Sequence, residues 1–125
     1  MTTAGTPSVR LRLPRSSKIK QEGDFARAKS RGQRLTGGCL IVNILPRPIG
    51  ANSRLGVVTS KKIGDAVERS RARRLLRETF RLHQHDLARP VDVVLVARLS
   101  IAGMKLADVE KDFLRLLGQA RALKS

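Results

Sequence analysis

Two short aliphatic segments flank one long amphipathic segment at the centre of this sequence, and that order constrains the fold more than any other feature. The aliphatic segments, Arg54–Thr59 (RLGVVT) and Asp92–Arg98 (DVVLVAR), are rich in β-branched residues and predict strands. Between them, apolar residues recur with a helical period over Ala66–His83, and Pro90 excludes a longer helix. A strand, a helix and a strand in series favour helices packed on one sheet, with these two strands parallel.

Three further elements complete the predicted fold. Lys18–Gly32 carries a short apolar stripe and predicts a brief helix that ends at the glycine. CLIVNIL, residues 39–45, lies between glycines and prolines and predicts a strand that would pair with RLGVVT as an antiparallel hairpin. Leu106–Arg121 predicts a final amphipathic helix. The sequence thus predicts one compact α/β domain, in which about three helices pack against a small mixed sheet.

The charge of the chain indicates the class of its partner. The 125 residues include 26 Lys and Arg against 10 Asp and Glu, a formal net charge of +16. Self-repulsion on this scale favours a polyanionic partner, with nucleic acid ahead of an anionic membrane surface. Residues 1–17 lack apolar periodicity and predict a flexible basic arm, which precedes a domain over residues 18–125.

Cysteine usage and hydropathy indicate the compartment. Cys39 is the only cysteine, which excludes a disulfide framework and a Cys-based zinc site, and it is expected to be a small buried strand residue. No segment approaches the roughly 18 consecutive apolar residues of a membrane span. We therefore expect a soluble cytoplasmic protein.

The central helix divides into two faces on a helical wheel. The face expected to pack on the sheet comprises Val67, Ala72, Leu75, Leu76, Thr79, Phe80, Leu82 and His83. The opposite face comprises Ser70, Arg71, Arg73, Arg74, Arg77, Glu78 and Arg81. Five arginines with a single acid are unusual for an ordinary solvated face, because like charges four residues apart repel. The planar guanidinium can bind phosphate through two hydrogen bonds, so this face predicts contact with nucleic acid.

Residues 60–81, SKKIGDAVERSRARRLLRETFR, resemble the signature of the bacterial ribonuclease P protein subunit. Arg69 and Arg71 match the arginines of the family's Arg-Asn-Arg core, whereas Ser70 stands where the family usually has Asn. The order and spacing of the other segments extend the resemblance over residues 18–120. It implies the family's compact α/β fold with a left-handed crossover between parallel strands.

The resemblance also implies a function in the bacterial cytoplasm. The RNA subunit of ribonuclease P performs the chemistry with magnesium ions, while the protein binds that RNA and the 5′ leader of precursor tRNA and assists removal of the leader. No cofactor bound by the protein alone, no membrane and no DNA partner are expected. The predicted RNA-binding residues are Lys61, Lys62, Arg69, Ser70, Arg71, Arg73, Arg74, Arg77 and Arg81.

A second site is implied for the single-stranded leader, in a cleft between the first helix and the sheet. Single strands stack their bases on aromatic rings beside a basic groove. Phe25 matches an aromatic position of this cleft, although it could equally anchor its own helix in the core. Lys29 stands where relatives often carry another ring, and Leu40 and Val42 are the strand residues predicted to line the cleft.

Other functions fit the composition less well. A small basic ribosomal protein would share the charge and the α/β pattern, and only the SKK and RSRARR motifs separate the two classes. Residues 68–81 are superficially similar to the basic region of a leucine-zipper factor, but no leucine heptads follow. A stand-alone nuclease would need converging carboxylates or histidines, and none is evident, so we predict neither catalytic nor metal-binding residues in the protein.

Overall fold

The computed structural model describes residues 31–123. The four strands are Gln33–Thr36 (β1), Leu40–Pro46 (β2), Arg54–Val58 (β3) and Val91–Ala97 (β4), and the two α-helices are Ala66–His83 (α1) and Leu106–Gln119 (α2). Short 3-10 turns cover Lys61–Ile63, Gln84–Asp86 and Leu99–Ile101. The predicted basic arm and nearly all of the predicted first helix lie outside the described residues.

The sheet confirms the predicted mixed α/β architecture and the parallel strand pair, but not the predicted hairpin. Its strand order is β1-β2-β4-β3, with β3 parallel to β4 and the other two pairs antiparallel. The hairpin of β2 with β3 is wrong because β4 lies between them. Six of the seven residues of β4 are buried, since the strand has a neighbour on each edge. The left-handed sense of the crossover through α1 stays a prediction.

Strand β1 was missed by the sequence analysis. It has only four residues, of which three are exposed, and it pairs only with β2 at the edge of the sheet. An edge strand this short and polar leaves no alternation of apolar and polar residues to detect.

Both helices pack on one face of the sheet and form the main core there. Leu76 of α1 and Phe113 of α2 are fully buried in the same cluster as Val93 and Leu95 of β4. Val94 lies between Val93 and Leu95 in the sequence, so its side chain points to the other face of the sheet, where it belongs to a separate, smaller cluster. The alternation of side chains along a strand thus assigns each residue of β4 to one face or the other.

Helix α1 begins and ends where the sequence predicts. The carboxylate of Asp65 accepts a hydrogen bond from the Glu68 N–H at 2.9 Å and caps the first turn. The buried Thr79 hydroxyl donates to the Leu75 carbonyl at 2.8 Å, so it leaves no unpaired polar group in the core. The predicted packing face was too broad, because Val67 is 75% exposed. Val67 lies in the first turn, ahead of the part of α1 that contacts the sheet.

Cys39 is fully buried directly before β2, as expected. Its backbone N–H donates to an Asp112 carboxylate oxygen at 3.0 Å, which ties the start of β2 to α2. Burial, and then the neighbouring Asp112 carboxylate, raises the pKa of the thiol to about 12. The thiol is therefore protonated and unreactive at neutral pH.

Candidate nucleic-acid interface

The outer face of α1 forms one wall of an open groove beside the start of α2. The groove has a volume of about 460 Å³ and is lined by Ser70, Arg73, Arg74, Leu75, Arg77, Glu78, Arg81 and Leu106. Most of these residues are members of the predicted basic face, so the structure brings that set together on one surface. We call this surface the arginine face, and include in it the neighbouring Arg69 and Arg71.

Two arginines at the start of the arginine face are tied to backbone carbonyls. Arg69 donates from Nη1 to the Gly64 carbonyl at 2.9 Å, across the turn that leads into α1. Arg71 donates from Nη2 to the Met104 carbonyl, just ahead of α2. Because a guanidinium has five donors, each still has donors left for a phosphate. These two side chains therefore brace loops and remain able to contact a ligand.

Ser70 and Arg73 act as a pair. The Ser70 hydroxyl accepts from Arg73 Nη2 at 3.2 Å, and the hydroxyl of Thr59 accepts from Arg73 Nη1 at 2.8 Å. Arg73 is thus held between α1 and the end of β3. The residue that departs from the family's usual Asn serves here to orient a neighbouring arginine.

Arg81 is paired with the single acid of the arginine face. It donates from Nε to the Glu78 carboxylate one turn earlier, and this hydrogen bond lowers the pKa of Glu78. The pair is charge-balanced, so Arg81 contributes less to the positive potential than its neighbours do.

Arg74 and Arg77 lie between these tied residues, and both are exposed. Within the part of the chain that the structure describes, neither side chain makes a hydrogen bond or an ion pair. They stand three residues apart, so they project from adjacent turns of one helix face. Of the predicted RNA-binding arginines, these two are the most available to a polyanion.

Lys61 and Lys62 are exposed on the short turn before α1, and buried Ile63 anchors that turn to the core. Gly64 follows with φ of 148°, and a Cβ atom there would overlap the Glu68 side chain. Only glycine suits this position. The turn therefore places both lysines beside the helix entry, where unpaired backbone N–H groups also favour an anion.

The strand residues predicted for the leader cleft do not line a cleft. Leu40 and Val42 are fully buried, and both belong to the core that the two helices cover. A bound strand cannot reach them, so this part of the prediction is wrong. Ile41 and Asn43 alternate with them along β2 and therefore face the opposite side of the sheet, away from α1 and α2. Phe25 and Lys29 lie outside the described residues, and their roles stay predictions.

The opposite face of the sheet carries two unusual polar features. Asp92 of β4 is buried and accepts from both Nε and Nη2 of its strand neighbour Arg54, at 2.8 and 2.7 Å. Asn43 is 2% exposed, and its Oδ1 atom has no hydrogen-bond partner among residues 31–123. The sequence analysis overlooked both, because the choice between adjacent strand positions depends on which face the helices cover.

His83 lies between two carboxylates at the end of α1. Its Nδ1 is 2.9 Å from Asp86 Oδ2, and its Nε2 is 3.2 Å from Glu110 Oε2. No group of three or more His, Cys, Asp or Glu residues among positions 31–123 has the geometry to hold a metal ion. Over the same range, no helix is both long and apolar enough to cross a membrane.

Comparison with known proteins decides the family. The sequence profile of the ribonuclease P family matches residues 13–121, which is most of the chain. The chain belongs to the ribonuclease P protein family. The ribonuclease P protein component of Desulfovibrio desulfuricans is 38% identical over 111 residues, which cover 86% of this chain and 85% of that protein. The corresponding protein of a Geobacillus species is 33% identical and covers 90% of this chain and 97% of its own length.

Solved structures of ribonuclease P proteins share this fold. The Staphylococcus aureus protein superposes with a TM-score of 0.77 at 26% identity, covering 86% of this chain and 98% of its own. The Thermotoga maritima protein superposes with a TM-score of 0.70 at 26% identity, covering 82% and 96%. Membership in the family makes this chain a protein component of ribonuclease P, an endoribonuclease that processes tRNA.

Proposed function

We propose that the chain binds the RNA subunit of ribonuclease P through the arginine face of α1, and assists that RNA in removing the 5′ leader from precursor tRNA. The observation that carries the proposal is the exposure of Arg74 and Arg77, without partners in the described residues, on a face where Glu78 is already paired. Uncompensated guanidinium groups on one surface favour a ligand with closely spaced phosphates.

Catalysis is assigned to the RNA subunit, with magnesium ions held there. Two carboxylates on or beside the arginine face have structural roles: Asp65 caps α1, and Glu78 pairs with Arg81. The protein's contribution is electrostatic, because added positive charge reduces the repulsion between the RNA subunit and the precursor.

The leader would contact the face of the sheet opposite α1 and α2 at the half-buried Ile41, together with Phe25. This assignment rests on strand alternation, which removes Leu40 and Val42 from reach and leaves Ile41 on the other face. Asn43 shares that face but is itself buried. A Phe25→Ala variant should weaken binding of precursor tRNA more than binding of mature tRNA. Equal losses for both would place Phe25 outside the leader site.

Reconstitution tests the proposed function. The full chain is combined with the RNA subunit, and release of the leader is measured at low and moderate magnesium. We expect the protein to stimulate cleavage most at low magnesium, and Arg74→Ala/Arg77→Ala to lose much of that stimulation. Lys111→Ala, which removes an exposed charge from α2, is the control and should retain it. Cleavage by the protein without RNA, or stable association with ribosomal subunits instead of the RNA subunit, would contradict the proposal.

A further inference from the structure

A second cluster of arginines surrounds a pocket outside the arginine face. The pocket has a volume of about 340 Å³, and it lies where β1, β2 and β4 meet the end of α2. Its lining residues are Arg31, Gln33, Ile44, Pro46, Arg89, Val91, Ala120, Arg121 and Ala122. Three are arginines and none is acidic, so the pocket has a one-sided charge.

The three guanidinium groups have no counterion in the described residues. Arg31, Arg89 and Arg121 are all exposed, and none forms a hydrogen bond or ion pair there. Two carboxylates lie three residues from Arg89 along the chain, and both have other partners: Asp86 is bound to His83, and Asp92 is bound to Arg54 on the other face of the sheet. Three uncompensated like charges around one pocket repel one another, and an anion bound among them would relieve that repulsion.

The backbone holds two of these arginines in place. The Ala88 N–H donates to the Ala122 carbonyl at 2.7 Å, and Leu87 and Leu123 form an antiparallel bridge. Arg89 and Arg121 are each adjacent to one of the alanines joined by this bond. The segment before β4 and the segment after α2 are therefore tied together, and both arginines are presented at the same pocket.

Arg121 has an unfavourable backbone conformation for its residue type. Its φ is +56°, the only positive value for a residue other than glycine among positions 31–123. It follows the end of α2, where the Ala122 N–H donates to the Leu117 carbonyl at 2.9 Å. Helices that end in this way favour glycine at that position, because a Cβ atom is strained there. An arginine at a site that suits glycine points to a use for its side chain.

The pocket is distant from the start of the arginine face. The pocket lies at the start of β4, because Val91, the first residue of that strand, lines it. Lys61 lies near the other end of β4, because β3 ends opposite Val96 and the chain continues from there to Lys61. At the usual rise of a strand, the two ends of β4 are about 20 Å apart. One phosphate cannot contact both Lys61 and this pocket.

We infer that the pocket formed by Arg31, Arg89 and Arg121 binds a phosphate of the RNA backbone, at a contact separate from the arginine face. The planar guanidinium groups supply paired donors for the phosphate oxygens. The inference rests on the proposed function, because it assumes that the chain binds RNA. The phosphate can belong to the RNA subunit or to precursor tRNA.

The test measures the salt dependence of RNA binding by the full chain. Arg121→Gly removes the charge and suits the positive φ, so it should fold at least as stably as the parent. Arg89→Ala removes the second charge, and Lys111→Ala is the control that removes one exposed charge elsewhere. Dissociation constants are measured between 50 and 200 mM salt for the RNA subunit alone, and for precursor tRNA bound to the reconstituted complex.

Complete loss of this one phosphate contact, expected in the double variant Arg89→Ala/Arg121→Gly, should make the slope of log K against log salt shallower by about 0.7–0.9, and Arg121→Gly alone should change it by a smaller amount. The arm in which the slope changes identifies the RNA that supplies the phosphate. Slopes equal to those of the parent, or a change no larger than in Lys111→Ala, would overturn the inference. Failure of the parent itself to bind either RNA would instead reject the proposed function.

Discussion

The arginine face contains two kinds of arginine, and a pair of matched double variants can separate them. Arg69 and Arg71 each donate to a backbone carbonyl, whereas Arg74 and Arg77 make no hydrogen bond or ion pair in the described residues. Arg69→Ala/Arg71→Ala and Arg74→Ala/Arg77→Ala remove the same two charges from the same helix. They also introduce the same two alanines, so helix propensity and net charge change equally.

The two double variants should differ in their free energy of unfolding but show the same change in the salt dependence of RNA binding. A hydrogen bond from a charged donor contributes about 1.5–3 kcal/mol at most, and solvent around these half-buried and exposed groups reduces this to roughly 0.5–1 kcal/mol each. Arg69→Ala/Arg71→Ala should thus lose about 1–2 kcal/mol in free energy of unfolding, and Arg74→Ala/Arg77→Ala almost none. Each pair should make the salt slope of RNA binding shallower by about 1.4–1.8, if every arginine contacts one phosphate.

Urea denaturation and RNA titration at several salt concentrations measure both quantities on the same preparations. When salt rises from 50 to 200 mM, the RNA affinity of each double variant should therefore fall by a factor roughly ten times smaller than the fall for the parent. An unchanged slope in Arg74→Ala/Arg77→Ala would refute the assignment of these residues to RNA. Equal stability of the two variants would refute the bracing role of Arg69 and Arg71.

Three further predictions concern the core and its polar residues. Leu76→Ala should lower the free energy of unfolding, measured in urea, by about 2–5 kcal/mol, because Leu76 is fully buried. The control Leu99→Ala, at a 62% exposed site, should change it little. A loss below 1 kcal/mol for Leu76→Ala would mean that the helices do not share this core. Asn43→Val should raise the free energy of unfolding by about 1 kcal/mol, because it removes a buried Oδ1 atom that has no partner in the described part of the chain. A lower free energy of unfolding would contradict this prediction. Cys39 should resist alkylation by iodoacetamide at pH 8, because its thiol has a pKa of about 12 and becomes a thiolate only at much higher pH. Alkylation at the rate of an unfolded control would contradict the burial of Cys39.

The sequence by itself determined the elements that have strong periodicity or a clear boundary. Helix α1 was predicted over Ala66–His83 because its apolar residues recur with the helical period and Pro90 excludes a longer helix. The parallel relation of β3 and β4 followed from the helix between them. The arginine face followed from the same wheel, since a residue's position on an isolated helix is fixed by local geometry alone.

Only the tertiary structure decided which strands are neighbours and which sheet face is covered. The insertion of β4 between β2 and β3 depends on contacts between residues far apart in the sequence, and no local pattern encodes it. The burial of Leu40 and Val42 was also decided by the tertiary structure, because adjacent residues of a strand point to opposite faces and only the fold determines which face the helices cover. The pocket of Arg31, Arg89 and Arg121 is the furthest from local prediction, since its three arginines come from separate segments that meet only in the folded chain.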